Sequence, residues 1–521
     1  MGSAWSQRLG VWWIAEDHPD LPAVVASPSG TTLTFAELAG RAHRIVHALR
    51  ARGIRAGDIV AYALPNDVDI VWWPLALQEM GVRSVALNPA LAGDEVAAVL
   101  EASGATGLVV DRRFEEIAAR GAAADLTVRV AVGGPVDGYT TYEDLVDGHP
   151  DTLPPDRVYA APISYSSGTT GRPKGIERPV PPGDPSRMAD QMKLFAQAFR
   201  MQPLTGVHLA SAGMHHGGCQ SFYHAALHAG QALAIMGRFD PEGALEMIQR
   251  HRVTTAYMVP TQFVRLLRLP EEVRDRYDVS SLETVAHSAA PCPIDVKQRM
   301  LDWWGPVIWE TYGGMEGAAA IAKPHRWLEK PGTVGRAIRG MRIKILDEDG
   351  NELPPGETGL VYLEPDGPTF EYRGDPELTA SVHRGKAFTL GDLGYLDEDG
   401  YLFLRDRAKD MIISGGVNIY PAEVEAVLGS HPAVRDVAVI GVPDEEWGES
   451  VQAVVELEDG VAGTPELAAE LIGHCRGRLA RFKCPRSVDF RASLPRTETG
   501  KLYKRLLRDE YRDGGQAAPV G

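Results

Sequence analysis

The stretch Tyr165-Ser166-Ser167-Gly168-Thr169-Thr170-Gly171-Arg172-Pro173-Lys174-Gly175 concentrates groups that can hold a polyphosphate. Gly168 and Gly171 let the backbone turn tightly and expose N–H groups. Ser166, Ser167, Thr169 and Thr170 add hydroxyl donors, and Lys174 adds a point charge. A loop of this kind can wrap phosphate oxygens. It is not a Walker A loop, because Gly175 follows Lys174 where that motif needs Ser or Thr. A kinase or P-loop phosphotransferase is disfavoured on that ground.

The loop resembles the phosphate-binding signature of the adenylate-forming (AMP-binding) superfamily, which includes acyl-CoA synthetases, firefly luciferase and the adenylation domains of peptide synthetases. The likeness recurs, in order, at later places. Trp309-Glu310-Thr311-Tyr312-Gly313-Gly314-Met315-Glu316-Gly317 resembles the segment whose tyrosine lies by the adenine and whose glutamate binds magnesium. Mg²⁺ prefers hard oxygen ligands and bridges phosphate oxygens, so the resemblance implies a metal held by Glu316 and Thr170. The family generally has Thr at the position of Met315, with its hydroxyl on the α-phosphate; a thioether cannot donate that bond. His287-Ser288-Ala289-Ala290-Pro291 resembles the stretch lining the adenine and acyl pockets. Asp392 matches a ribose-binding aspartate, and Arg407 an arginine reaching the ribose or phosphate.

Two further likenesses lie near the C-terminus. Arg407 to Pro421 resembles a domain-hinge motif, with Lys409 at the pivot and Gly415 and Gly416 lining a tunnel for the pantetheine arm. Leu494-Pro495-Arg496-Thr497-Glu498-Thr499-Gly500-Lys501 resembles the C-terminal lysine motif. The chemistry explains that lysine: a carboxylate must attack a negatively charged α-phosphorus, and a placed cation offsets the repulsion. Lys501, Glu316 and Lys174 are thus the expected catalytic residues. Trp447 and Lys483 match residues that contact the thiol arm in relatives, which favours coenzyme A as acceptor.

Met214-His215-His216-Gly217-Gly218 matches a position at the acyl pocket, where His215 and His216 are expected as wall or gate. Metal binding by the pair is not expected, because adjacent residues point apart and no third ligand is evident. Amino-acid-activating relatives carry an aspartate in this region, and from Val207 to Phe239 this chain has no Asp or Glu. That favours an acid with an apolar tail. Gly217, Gly218, Gly313 and Gly314 leave room for bulk, and His287 and Gly314 are expected to complete the pocket.

These residues need a framework. The chain has 521 residues, 44% of them apolar, and at roughly 150 residues per domain it would make three or four folding units. Ala36 to Arg52 shows helical spacing and Asp58 to Leu64 reads as a buried strand. Ile70 to Met80 is a second helix and Val85 to Leu87 a second strand. Such alternation implies parallel sheets covered by helices. The pattern resumes from about 190 to 312. Beyond Gly332 two hairpins are expected, Met341–Leu346 with Gly359–Leu363 and Leu393–Leu396 with Tyr401–Leu404; Asp399-Gly400 is a strong turn signal for the second. The charged run Arg405 to Asp410 reads as an exposed boundary. After it, a helix from Pro421, strands at 437–442 and 451–457, a helix from about Glu466 to Arg481 and a terminal segment from Lys501 suggest a small α+β unit.

The expected architecture is therefore α/β. A large N-terminal domain (1–406) carries helix-covered parallel sheets and a β subdomain, a hinge spans 407–409, and a small mobile α+β domain spans 410–521. The net charge of -17 argues against nucleic acid as a partner. Cys219, Cys292, Cys475 and Cys484 form no C-x-x-C pair, which fits reduced cytoplasmic thiols. No run of about 18 apolar residues exists for a membrane span, and no signal peptide is evident. Met1 to Ser6 formally fits a myristoylation pattern, a match common by chance. A homodimer is compatible with all of this.

The resemblance is to bacterial fatty acyl-CoA synthetases. It implies ATP- and Mg²⁺-dependent formation of an acyl-adenylate, release of pyrophosphate, and transfer to coenzyme A. Two alternatives stay open: a specialised adenylating ligase of secondary metabolism for a bulky terpenoid or polyketide-like acid, with thiolation by a partner, and a non-catalytic sensor of nucleotide or acyl-adenylate. Only 20 residues follow Lys501, so a fused carrier domain is not expected.

Overall fold

Continuous apolar runs become parallel strands covered on both faces. The computed structural model describes residues 4–91, 93–166, 174–179, 183–414, 417–444, 447–496 and 501–512. Ile59–Ala63 is buried at every position, between the parallel strands Arg83–Ala86 and Gly107–Asp111. Val128–Val132 and Thr140–Thr141 complete this five-stranded sheet. The helix Phe35–Ala51 starts at a reciprocal cap: Thr34 Oγ1 accepts from the Glu37 N–H at 3.2 Å, and the Glu37 carboxylate accepts from the Thr34 N–H at 2.8 Å. The helix Asp69–Glu79 is buried from Ile70 onward and tolerates Pro74 in its interior. Pro74 cannot donate to the Ile70 carbonyl, and the Tyr223 hydroxyl reaches that carbonyl at 3.5 Å instead.

A nine-stranded sheet forms the second layer. Pro22–Ala26, Ala232–Ile235, Val207–Ala210, Thr255–Met258, Thr284–His287 and Ile308–Gly314 run parallel. Leu33–Thr34 at one end turns antiparallel, as does Gly317–Ala322 towards the other, where Arg336–Ala337 pairs with it as the last strand. The loops leaving the carboxyl ends of these parallel strands carry His215, Ser288 and Glu316, and in open α/β sheets this is the edge that binds ligands.

The texture change after Gly332 is real. Met341–Leu346 pairs with Gly359–Pro365, and that strand with Ala387–Leu396, which in turn pairs with Leu402–Arg407. Leu402–Arg407 is the last strand of this sheet. The 3₁₀ turn Ala408–Asp410 follows, and Ile412–Ser414 already belongs to the C-terminal sheet with Val417–Ile419, Gly448–Leu457, Val434–Asp444 and Ser487–Arg491.

Two expectations need correction. The helix expected to reach Arg481 spans Pro465–Arg476. The N–H groups of Arg478 and Leu479 both turn back to the Cys475 carbonyl, at 2.9 and 2.8 Å, which closes the helix past Gly477. The run 405–410 is also less free than its charge suggests. The Asp406 carboxylate accepts from the Ala422 N–H at 2.8 Å, and Asp410 pairs with Arg508 at 2.8 Å.

Candidate active site

Between the two sheets, the antiparallel subdomain and the C-terminal unit lies one cleft of about 3600 Å³. One part of its wall, where the sequence places the nucleotide residues, is built from residues far apart in sequence. Tyr312, at the end of the strand Ile308–Gly314, donates its hydroxyl hydrogen to Asp392 Oδ2 at 2.7 Å. Asp392 and Arg407 face each other on adjacent antiparallel strands, and Arg407 Nε lies 3.6 Å from the other carboxylate oxygen. Burial pushes the Asp392 carboxyl above its usual range, while Arg407 and the Tyr312 hydroxyl pull it back. The result is a carboxylate held in one orientation at the cleft wall.

Lys501 stands in the same cleft. Burial lowers its ammonium to about 8, helped by the positive charges of Arg407 and Lys409 and opposed by Asp392 and Asp410. Lys409 lies in the exposed 3₁₀ turn, where its carbonyl accepts from Arg508 Nη1 at 3.1 Å.

On the opposite wall, the Tyr372 hydroxyl donates to Glu316 Oε1 at 2.9 Å. Lys174 Nζ lies 5.5 Å from the centre of the Tyr372 ring, in a three-stranded sheet that pairs Lys174–Glu177 with Glu371–Tyr372. Glu177 ties this edge to the five-stranded sheet through Arg83, and within the edge pairs at 3.1 Å with Arg373, the residue after Glu371–Tyr372. Arg178 donates to the Met315 carbonyl at 2.6 Å and lines the cleft. Ser166 lies in the strand Ser164–Ser166; Ser167, Gly168, Thr169, Thr170 and Gly171 lie outside the described residues. Among the described residues no three His, Cys, Asp or Glu side chains gather to form a metal cage. Glu316 alone suits Mg²⁺, which keeps waters and takes further oxygens from phosphates rather than requiring a protein cage.

The turn Ser288-Ala289-Ala290 leaves the strand Thr284–His287 and lines the cleft, with Ala289 held at φ +75°. Ser288 Oγ and the Tyr257 hydroxyl are 2.8 Å apart. Thr311, Gly313 and Gly314 line the cleft beside it, and Thr311 Oγ1 reaches the His287 carbonyl at 3.5 Å. Glu310 also faces the cleft but is anchored from behind by the fully buried Lys297, whose Nζ donates to it at 2.6 Å.

His287 is not on the wall. It is fully buried against the Phe263 ring, 3.7 Å from Glu310, and burial keeps it neutral. Side chains alternate across a strand; Val285 joins the same core as Phe263, whereas Ala286 faces the other layer. His287 therefore points away from the cleft.

His215, His216, Gly217 and Gly218, expected at the acyl pocket, also line the cleft, as do Phe195, Phe199 and Phe222, which pack together as an aromatic wall. The two histidine rings do not point apart, as adjacent residues in a strand would. Their centroids are 4.0 Å apart, because the chain turns here, with the His216 N–H donating to the Gly213 carbonyl at 3.0 Å. Burial lowers His216 to about 4, and burial with the neighbouring His216 holds His215 well below the usual imidazole range, so both are neutral at pH 7.

The expected thiol-arm residues are not brought to the cleft. Trp447 is exposed beneath the Arg486 guanidinium at 4.8 Å, and Lys483 donates to both Glu423 carboxylate oxygens at 2.8 and 2.7 Å. Gly415 and Gly416 lie outside the described residues. Sequence reasoning missed Tyr372, Arg178 and Lys297. Each acts through a partner distant in the chain, and none has a local motif; Arg178, four residues after Lys174, was the most accessible of the three.

The description "AMP-binding enzyme" matches residues 11–371, and "AMP-binding enzyme C-terminal domain" matches 423–501. A feruloyl-CoA synthase of Amycolatopsis sp is 35% identical over 514 residues, covering 97% of this chain and 99% of that protein. The o-succinylbenzoate CoA synthetase MenE from Bacillus subtilis, solved with the acyl-adenylate intermediate OSB-AMP, superposes with a TM-score of 0.81 at 28% identity, covering 96% of this chain and 98% of that one. The amide bond synthetase McbA from Marinactinospora thermotolerans superposes with a TM-score of 0.82 at 28% identity, covering 98% and 100%.

Proposed function

The chain belongs to the AMP-binding enzyme family, and from that premise we propose that its cleft activates an aryl carboxylic acid and passes the acyl group to coenzyme A. The chain is an AMP-forming acid–thiol ligase that uses ATP, Mg²⁺ and coenzyme A. The aryl tail is our reading, supported by the wall of Phe195, Phe199 and Phe222 and by the aryl acids in the names of the feruloyl and o-succinylbenzoate relatives.

In the first step a substrate carboxylate oxygen attacks the α-phosphorus of ATP. The bond from that phosphorus to the bridging oxygen breaks, and pyrophosphate leaves. Lys501 bridges the two anions as the new bond forms, where a fixed cation is worth most. Asp392, oriented by Tyr312 and Arg407, accepts from the ribose hydroxyls. Ser288, Ala289, Ala290, Glu310, Thr311 and Gly313 enclose the adenine end, and Met315 stands where the α-phosphate meets the acid. Lys174 and the loop before it hold the β- and γ-phosphates. Glu316, kept in place by Tyr372, would hold Mg²⁺ with Thr170, and the ion supplies charge neutralisation of the phosphates.

In the second step the thiolate sulfur attacks the acyl carbon and AMP departs with the bonding electron pair. Gly415, Gly416, Trp447 and Lys483 would line the approach of that thiol after the C-terminal unit turns about Lys409. The observation that carries the reading is the meeting of Lys501, Asp392 and Arg407 in the cleft that also holds the aromatic wall. Four free cysteines support a reducing cytoplasmic setting, and no described helix is long and apolar enough to cross a membrane.

The test is pyrophosphate release against a panel of aryl and alkyl acids, with and without coenzyme A. Release that depends on an aryl acid, with a thioester formed only when coenzyme A is present, is the expected result. Release without thioester, but with an amide when an amine replaces the thiol, would move the chain to the amide-forming side of its structural neighbours. No acid-dependent release contradicts the proposal.

A further inference from the structure

Arg178 follows the strand Lys174–Glu177 and lines the cleft. Side chains alternate along a strand, so Lys174, Ile176 and Arg178 share one face, and Glu177 takes the other with Arg83 and Arg373. Ile176 packs with Tyr312, Tyr372 and Met315. Two cations of one face therefore come to the neighbourhood of one carboxylate. Lys174 reaches it by way of the Tyr372 ring, whose hydroxyl holds Glu316, and Arg178 by way of the Met315 carbonyl, one residue before Glu316.

Its bonding separates Arg178 from other arginines of the cleft wall. Arg407, Arg435, Arg496 and Arg508 each pair with a carboxylate. Arg178 is exposed to the cleft and makes one hydrogen bond among the described residues, from Nη2 to the Met315 carbonyl at 2.6 Å. A guanidinium carries five N–H donors in a rigid fork, so most of that fork is open. Crowding by the cleft walls lowers its pKa and the Glu316 charge raises it; at neutral pH it stays protonated. Glu316 does not take the open donors: one of its oxygens accepts from Tyr372, and the other lies beside Gly314. The Met315 thioether is turned onto Gly217 and has no hydrogen to donate. A fixed cation with open donors, next to a carboxylate suited to Mg²⁺, fits a phosphate oxygen, which guanidinium groups bind through paired N–H bonds.

We propose that Arg178 is a catalytic residue of the adenylation step, donating to a non-bridging oxygen of the α-phosphate beside Met315. Charge gathers on that oxygen as the substrate carboxylate adds to phosphorus and pyrophosphate departs, and a donor already in place offsets it. Arg178 thereby supplies, from a neighbouring strand, the donor that the Met315 side chain lacks. This rests on the ligase reading above and adds a residue to it.

The probes are AMP and adenosine, which differ only in that phosphate, with affinities measured by calorimetry on the full-length protein. In Arg178→Gln the Kd for AMP is expected to rise at least about tenfold, and that for adenosine to stay. The glutamine amide can still donate to the Met315 carbonyl, so the turn is kept while the charge is removed. Adding Met315→Thr to Arg178→Gln should restore part of the AMP affinity. With an acid that the native enzyme accepts, kcat for pyrophosphate release should fall at least as far, with KM for the acid unchanged. Native AMP affinity in Arg178→Gln, or equal weakening of AMP and adenosine, overturns the proposal and leaves Arg178 holding the turn alone. Arg178→Lys keeps the charge and should retain more AMP affinity than Arg178→Gln; the reverse order also overturns it. Absence of acid-dependent pyrophosphate release from the native enzyme, with the AMP result intact, contradicts the ligase reading and leaves the phosphate contact standing.

Discussion

The Met315 side chain lies directly over Gly217, so closely that a β-carbon at 217 would overlap its sulfur and methyl. The residue that departs from the family pattern thus fills the space left by a glycine in the cleft wall. Gly217→Ala should push Met315 into the cleft and raise KM for the acid several-fold. Met315→Thr in the same chain should relieve the clash. A double-mutant cycle on kcat/KM checks this; additive effects would mean the two side chains are not coupled. Met315→Thr alone should stay active and bind a non-hydrolysable acyl-adenylate analogue more tightly, through a restored donor to the α-phosphate.

Tyr372 should matter through the metal. Its hydroxyl fixes one Glu316 oxygen at 2.9 Å, and outer partners of metal ligands typically contribute 10–100-fold in metal affinity. Tyr372→Phe should raise the Mg²⁺ concentration for half-maximal adenylation about tenfold, with little change in KM for the acid. An unchanged Mg²⁺ titration would remove Tyr372 from this role.

The orientation of the C-terminal unit is held in part by Arg268. Its guanidinium donates to Glu458 at 2.6 Å and to the Arg435 carbonyl at 3.2 Å. Exposed pairs are worth about 0.2–1 kcal/mol, so Arg268→Ala should slow adenylation only up to about fivefold. Thioester formation from preformed adenylate should hold or rise. Lys409→Pro acts on the turn itself by fixing φ and removing an N–H. Exchange of ATP with pyrophosphate should persist there while thioester output falls by orders of magnitude, and normal thioester output from a folded protein would exclude Lys409 as pivot.

The ammonium of Lys501 sets a pH dependence. Burial, with Arg407 and Lys409, lowers it to about 8. It is charged below that pH and loses its charge above, so kcat/KM for adenylation in the free enzyme should decline as pH rises through about 8. Lys501→Arg stays charged and should abolish that decline even at lower activity. A native profile flat to pH 10 would contradict the assigned protonation.

Much of this site was legible because its motifs are short and continuous: the alternation of helix and strand, the hairpins and the places of Tyr312, Asp392, Arg407 and Lys501. What was hidden depends on which face a side chain takes. His287 sits in a well-placed motif yet turns into the core, because strand alternation gives Ala286 the opposite face. His215 and His216 meet because a local turn replaces an extended backbone. Tyr372 and Lys297 act through partners 56 and 13 residues away, spacings that no helical or strand period reveals. Trp447 and Lys483 were expected at the thiol arm and stand away from the cleft; whether they approach it depends on the orientation of a whole unit, which no local pattern records.

The central claim is that Lys501 serves attack on phosphorus and not the later transfer to sulfur. Lys501→Ala should be assayed in both half-reactions, with acid plus ATP for pyrophosphate release and with preformed acyl-adenylate plus coenzyme A for thioester. Loss of the first by several orders of magnitude, with near-native rates in the second, is expected. Equal loss in both, from a folded protein, would contradict it.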